Sequence, residues 1–293
     1  MLEVKENEPL KNHSTFRIGG LARYFAVAKT KEEILEVINF AKEKNLPYFV
    51  FGRGSNILFR DESFDGLAIK IENWKLKIEN SNVIVGSGVL FSELILKSVE
   101  AGLTGLEWGA GIPGTVGGCV AGNCGAYGHN ISESVEKVIT LDKEYSKEEC
   151  GFLYRDSKFK NQPTGEKEII LEIELKLEKG DKEKSKEEIK KILIDRKEKN
   201  PPYPSIGCIF KNFKSQNANL KTITARSLIE ECGLKGRRIG SANGGAQVSE
   251  QHPNFIVNLG NARAEEVLEL INLCKQKVKE KFNLDLEEEI VII

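Results

Sequence analysis

Histidine is scarce in this chain: His13, His129 and His252 are the only three. That leaves little material for a multi-histidine metal site or a histidine-centred triad. The six cysteines (Cys119, Cys124, Cys150, Cys208, Cys232 and Cys274) form no CxxC pair and have no histidine at zinc-finger spacing, which argues against structural zinc. No metal site is expected. No apolar run approaches the roughly 18 residues of a membrane span, and the opening MLEVKENEPL lacks the basic-then-apolar order of a secretory signal. Charge of one sign is missing too. The 43 Lys and Arg face 44 Asp and Glu, so no global field draws the chain to nucleic acid or to an anionic membrane, and any anion binding has to be local. A cytoplasmic protein is expected, with free thiols in a reducing compartment. Its 293 residues allow two or three domains.

Glycine is abundant and unevenly spread. Nine of 27 glycines fall in Gly105–Gly128, GLEWGAGIPGTVGGCVAGNCGAYG, too many for chance and too mixed with large apolar residues for a flexible linker. Leu106, Trp108, Ile112, Val116, Val120 and Tyr127 mark the stretch as packed. Pro113 suits the first turn of a short helix, whose free N–H groups would bind an anion. Gly117 and Gly118 would admit a ligand or another segment close to the backbone.

A second glycine cluster, Gly52-Arg53-Gly54-Ser55-Asn56, follows the short strand predicted at Pro47 to Phe51. It is not a Rossmann fingerprint, because that motif opens directly into a helix and here ILFRDESFDGLAIKI reads as strand, turn, strand. Its backbone amides can still form an anion-binding nest or merely a tight turn. Two anion sites of this kind suit a dinucleotide gripped at two places, and flavin adenine dinucleotide fits better than a mononucleotide.

Along the rest of the chain, Arg23 to Val27 reads as a strand. A helix from Thr30 to about Lys44 has a capping box at Thr30 and Glu33. A hairpin is expected at 76–78 and 83–85, a helix from Phe91 to Ala101, and strands at 135–141 and 169–177. The Lys/Glu-rich run 178–199 reads as a solvated helix with a capping box at Ser185 and Glu188, ended by Asn200-Pro201-Pro202, where a domain boundary is placed. A helix from Ala225 to Cys232, a last helix capped by Asn261, and a closing apolar strand after Glu287, Glu288 and Glu289 complete the reading.

Seven separate stretches, in order, carry a resemblance: TFRIGG at 15–20, GRGSN at 52–56, GIPGTVGG at 111–118, YRDS at 154–157, GCIFKN at 207–212, GLKG at 233–236 and LEEEI at 286–290. With them the whole chain resembles the UDP-N-acetylenolpyruvoylglucosamine reductase (MurB) family. The resemblance implies an α+β fold: a two-subdomain FAD-binding part of the p-cresol methylhydroxylase/vanillyl-alcohol oxidase type plus a C-terminal α+β substrate-binding domain. The expected segments are 1–72 and 73–199 for the FAD-binding subdomains, 200–283 for the substrate domain, and 284–293 for a terminal strand carrying a catalytic glutamate. It implies non-covalent FAD, NADPH as co-substrate, and an enolpyruvyl UDP-sugar reduced to UDP-N-acetylmuramate.

Carried over by motif, Arg155 is the cation for charge developing on the substrate carboxylate, Cys208 the proton donor and Glu289 a stabilising carboxylate. Cys208 stands where better-known members have serine. Gly52, Arg53, Gly54, Ser55, Asn56, Gly111, Pro113, Gly114, Thr115, Gly117, Gly118 and Asn123 are expected at the cofactor, and Lys211, Asn212 and His252 at the substrate. Lys235, Arg237 and Arg238 are candidates for its diphosphate. The partners are small molecules, and a monomer is expected. Two alternatives stay open: an oxidase of the same flavin fold, and a flavin- or nucleotide-binding protein without chemistry.

Overall fold

The computed structural model describes residues 2–73, 75–160, 168–213, 223–241 and 244–293. The chain divides into two compact units. Unit one comprises residues 1–8, 22–53 and 64–196, and unit two comprises residues 9–21, 54–63 and 197–293. Residues 9–21 and 54–63, expected with the first FAD-binding segment, thus belong with the C-terminal part of the chain. The reason is packing: Phe16, Ile18 and Leu58 are fully buried among Ile209, Phe210, Val267 and Ile271.

Unit one has two cores. In the first, Leu21–Ala28 and Tyr48–Phe51 flank Phe64–Ile71 in parallel, and Val4–Pro9 lies on the outer edge of Leu21–Ala28. The parallel pairing needs a crossover, which the helix Lys31–Glu43 supplies. Its Ile34, Val37, Ile38 and Ala41 are buried at helical spacing against Leu67 and Ile69. Thr30 caps it as expected through Glu33 N–H, but Glu33 accepts from Lys29 N–H rather than from Thr30.

The second core lies under an antiparallel sheet ordered Glu144–Ser146, Val135–Thr140, Ile170–Lys176, Asn82–Gly86, Leu76–Glu79. The strand Ile170–Lys176 serves both cores. Ile173 and Leu175 enter the second, while Leu171 joins Ile169 in the first. The helix Phe91–Glu100 covers the second core with Phe91, Leu94, Ile95 and Val99.

Two helix starts differ from the sequence expectation for one reason: a cap is whatever acceptor the tertiary structure brings, not only the nearest local side chain. The helix Lys182–Lys199 begins three residues before Ser185, with Asp181 Oδ1 accepting from Glu183 and Lys184 N–H at 2.9 and 3.1 Å. Ser185 is buried inside it and donates to Glu107. The last helix, Ala264–Phe282, starts after Arg263 rather than at Asn261, which takes a left-handed φ of 53° in the preceding turn. Asp61, about 200 residues away in sequence, accepts from Ala264 and Glu265 N–H at 2.9 and 3.0 Å.

Glu107 is a buried carboxylate that also accepts from Thr104 Oγ1 at 2.7 Å and Gly105 N–H at 2.8 Å. Burial alone would push its pKa up, but the hydrogen bonds from Ser185, Thr104 and Gly105 outweigh it and hold the group below the ordinary carboxylate range. A depressed native pKa stabilises the fold above the unfolded value and loses that contribution as pH falls through the native one. Glu107→Gln, which mimics the protonated acid, should therefore cost about 1 kcal/mol at neutral pH. The deficit should close as pH is lowered through about 4. Urea midpoints of both proteins at neutral and acid pH check this, and a deficit independent of pH would refute it.

Unit two is built on an antiparallel sheet, Arg238–Ile239, Ala246–Val248, Ile256–Asn258, packed on the helices Ala225–Glu231 and Ala264–Phe282. The closing strand Val291–Ile292 pairs in parallel with Ile57–Leu58.

Candidate active site

In unit one, Gly52 lies against Thr115. A Cβ at Gly52 would sit 2.3 Å from Thr115 Oγ1, so only glycine lets the two loops approach this closely. Thr115 is itself the N-cap of the helix Val116–Ala121, accepting from Gly118 N–H at 3.3 Å. Pro113 accordingly precedes the helix instead of opening it.

The helix start does not offer free donors. Val116 N–H donates to Val89 O at 2.8 Å, Gly117 N–H to Ser87 O at 2.9 Å and Cys119 N–H to Thr115 O at 2.9 Å. Gly117 serves packing, since a Cβ there would lie 2.6 Å from Ser87 Cβ. The expectation of an anion at this helix end is therefore corrected, and the free donors are in the loops. The N–H groups of Arg53, Gly54, Ser55 and Asn56, and those of Gly111, Gly114 and Thr115, find no acceptor among the described residues. Gly54 and Gly111 take φ values of 63° and 82°, which turn successive amides outward as in an anion nest. Taken unit by unit, the loop at 111–115 in the first and the loop at 54–56 in the second each offer amides of the kind that donate to a phosphate oxygen.

Arg155 is held by the end of the same Gly-rich stretch. Its Nη2 donates to Gly125 O, its guanidinium lies 5.3 Å from the Tyr154 ring centroid, and its carbonyl accepts from Lys160 Nζ at 2.9 Å. Its φ is 58°, a left-handed conformation that costs a non-glycine residue energy and that surrounding contacts must enforce. Asn123 and Ser157 enforce it. Asn123 is buried and donates from Nδ2 to Leu153 O at 2.8 Å, while its Oδ1 accepts from Ser132 N–H at 3.3 Å. Ser157 Oγ donates to Ala121 O at 2.7 Å. Asn123 is thus committed to positioning the Arg155 loop.

In unit two, Gly207 turns at φ 83° into the segment 208–211, where Cys208 bridges Phe255 and Phe210 bridges Glu288, both antiparallel. Glu289 N–H donates to Ile209 O at 2.7 Å and Lys211 N–H to Glu287 O at 2.8 Å. This pairing brings Glu289 and Cys208 onto adjacent extended segments. It also separates three glutamates that look alike in sequence. Glu287 pairs with Lys211 at 2.6 Å and Glu288 with Lys275 at 2.5 Å.

Asn254, which carries no sequence signal between Pro253 and Phe255, fixes the Cys208 segment. Its Oδ1 accepts from Phe210 N–H at 2.9 Å, its Nδ2 donates to Phe210 O at 2.8 Å, and its carbonyl accepts from Ile209 N–H.

Asn212 Oδ1 accepts from Ala225 N–H at 3.0 Å at the start of the helix Ala225–Glu231. Burial, with the charge of Arg226 adding to it, pushes the His252 imidazole down to about 4, so it is neutral near pH 7. Its Nδ1 is buried with no hydrogen-bond partner among the described residues, and its ring packs edge-on against Phe255. A neutral imidazole suits a hydrogen bond to a ligand better than pairing with a phosphate charge. Of the diphosphate candidates, Lys235 pairs with Glu230 at 3.2 Å and Arg238 is spent on the carbonyls of Ser241 and Gly244.

Comparison with known proteins agrees with this picture. Residues 22–142 match a family model described as an FAD binding domain, and residues 198–293 match the UDP-N-acetylenolpyruvoylglucosamine reductase C-terminal domain. The UDP-N-acetylenolpyruvoylglucosamine reductases of Clostridium tetani and Bacillus licheniformis are each 38% identical, covering 99% of this chain and 92% and 94% of their own. The crystal structure of UDP-N-acetylenolpyruvylglucosamine reductase (MurB) from Thermus caldophilus is similar at a TM-score of 0.77 and 34% identity, covering all of this chain and 98% of its own.

The fold and its site define an FAD-containing oxidoreductase, α+β, with an FAD-binding domain followed by a C-terminal α+β domain. The chain belongs to the UDP-N-acetylenolpyruvoylglucosamine reductase family, MurB, whose place is in peptidoglycan precursor synthesis.

Proposed function

We propose that the protein reduces the enolpyruvyl group of UDP-N-acetylglucosamine enolpyruvate to UDP-N-acetylmuramate, with NADPH as electron donor and non-covalent FAD. It acts as a cytoplasmic monomer on small-molecule substrates. When bound, FAD supplies hydride transfer between the two substrates. The amides of Arg53, Gly111, Gly114 and Thr115 in unit one, and those of Gly54, Ser55 and Asn56 in unit two, would each donate to its phosphate oxygens. Gly52, Pro113, Gly117 and Gly118 shape the backbone there, and Asn123 supports it indirectly.

Hydride arriving at the terminal alkene carbon pushes negative charge toward the substrate carboxylate. Arg155 is the fixed cation that stabilises it, and a guanidinium suits a carboxylate because its donors form a planar fork. Cys208 then protonates the neighbouring carbon; a thiol, with an ordinary pKa of about 8.5, is a competent acid without much tuning. Glu289 polarises or stabilises the intermediate. Lys211, Asn212 and His252 contact the UDP-sugar, and Arg237 is the remaining candidate for its diphosphate. In this reading 1–72 and 73–199 serve the cofactor and 200–283 with 284–293 serve substrate and acid, although residues 9–21 and 54–63 fold with the C-terminal unit. The observation that supports the proposal is the antiparallel pairing of 208–211 with 287–289, which puts the segments carrying Cys208 and Glu289 next to each other in unit two.

The test is spectroscopic. The purified yellow protein should lose its visible flavin bands when mixed with NADPH without oxygen. It should regain them on addition of the enolpyruvyl UDP-sugar. Absence of flavin bands, or their return only with oxygen, would overturn the reading and favour the oxidase.

A further inference from the structure

The Gly-rich stretch holds two cysteines that the chemistry above does not use. The helix Val116–Ala121 ends in a Schellman turn. Gly122 is the C-cap and Asn123 takes a left-handed φ of 39°; Asn123 N–H donates to Val120 O at 3.1 Å and Cys124 N–H to Cys119 O at 2.8 Å. In this motif the side chain two residues past the cap meets the one three residues before it. Here those side chains are Cys124 and Cys119. The neighbouring Cys124 thiol and burial together push the Cys119 thiol well above its ordinary range. Cys119 is buried and Cys124 half-buried, so of the two residues Cys124 is the more exposed. The pair differs in this from Cys150, whose buried thiol donates to Ser146 O at 3.1 Å.

A disulfide needs Cα atoms roughly 4.4 to 6.8 Å apart, and the backbone bond from residue 124 to residue 119 holds the two chains of atoms close. We propose that Cys119 and Cys124 form an oxidation site, at which a hydroperoxide such as hydrogen peroxide converts the two thiols into a disulfide and so disturbs the carbonyl that holds Arg155. The chemistry balances. The Cys124 sulfur attacks the peroxide O–O bond, takes one oxygen as a sulfenic acid and releases water. The Cys119 sulfur then displaces that oxygen as a second water, so two thiols lose two hydrogens and one peroxide is reduced.

The consequence follows from what Cys124 carries. Its carbonyl accepts from Ile131 N–H at 2.9 Å, and the next carbonyl, Gly125 O, is the acceptor for Arg155 Nη2. Forming the S–S bond draws the two side chains from thiol contact to covalent length and re-aims this short segment. The effect on turnover rests on the role proposed for Arg155; the covalent event does not.

The holoprotein is treated with hydrogen peroxide, alkylated, and analysed by intact mass and peptide mapping. The expected result is a loss of two hydrogens, with a peptide linking Cys119 to Cys124 that dithiothreitol cleaves. Two outcomes would overturn the proposal: Cys124 gaining two or three oxygens while Cys119 stays alkylatable, or a disulfide forming only elsewhere. Turnover measured on the same samples should fall at least about tenfold and recover with dithiothreitol. Cys119→Ser should abolish the linked peptide and the reversible part of the loss. If that variant does not fold, the wild-type map decides alone. A disulfide that forms without loss of turnover would leave the oxidation site standing and count against the role of Arg155.

Discussion

Cys208→Ala is expected to slow turnover of the enolpyruvyl UDP-sugar by about 10²- to 10⁴-fold, the usual worth of a positioned general acid. Reduction of the bound flavin by NADPH should keep its rate, because the thiol is needed only when the substrate carbon accepts a proton. Cys208→Ser should retain much of the activity. The segment is fixed by backbone pairing to residues 287–289 and by Asn254, bonds that both changes leave in place. Rapid-mixing measurements of the two half-reactions separate these effects. Wild-type turnover in the alanine variant would remove Cys208 from the mechanism, since a solvent proton would then serve equally well.

The second large effect should come from Arg155→Gly, which separates function from stability. Loss of the cation that meets developing carboxylate charge should cost turnover about 10²- to 10³-fold, as for removal of one oxyanion donor. Yet the residue sits at φ 58°, where glycine pays no steric penalty and most others do. The variant gives up the bond to Gly125 O and relieves backbone strain, so its stability should stay within about 1 kcal/mol of the wild type. Thermal melts with steady-state rates check both parts. A fold weakened in step with activity would make Arg155 a structural residue.

Arg155 also shows how much was legible beforehand. The YRDS motif pointed to it, and nothing in the local pattern announced its left-handed backbone, because that conformation is enforced by bonds to the distant Asn123 side chain and Ala121 carbonyl. Regular elements were legible where one apolar period persisted, as in the helices Lys31–Glu43 and Phe91–Glu100 and the alternating strand Ile170–Lys176. Helix starts were less legible. Ser185 and Asn261 have the right chemistry for caps, but Asp181 and the distant Asp61 occupy that role. Asn254 and Asp61 had no signal, because a single polar residue acquires its partner only through tertiary contact.

The sequence by itself determined the two glycine clusters, the absence of metal-binding patterns, the ordered motifs of a flavin-dependent reductase, and the residue types available for its chemistry. These are local properties, set by what each side chain and each backbone can do. The tertiary structure decided which amides remained free. The helix behind Thr115 spends its first donors on Val89 and Ser87, whereas the loop amides at 53–56 keep theirs. It decided too that Glu287 meets Lys211, that Glu288 meets Lys275, and that Glu289 donates its N–H to Ile209 O. A hydrogen bond or ion pair has one partner at a time, and the partner is chosen by distance in space, which the order of residues does not contain.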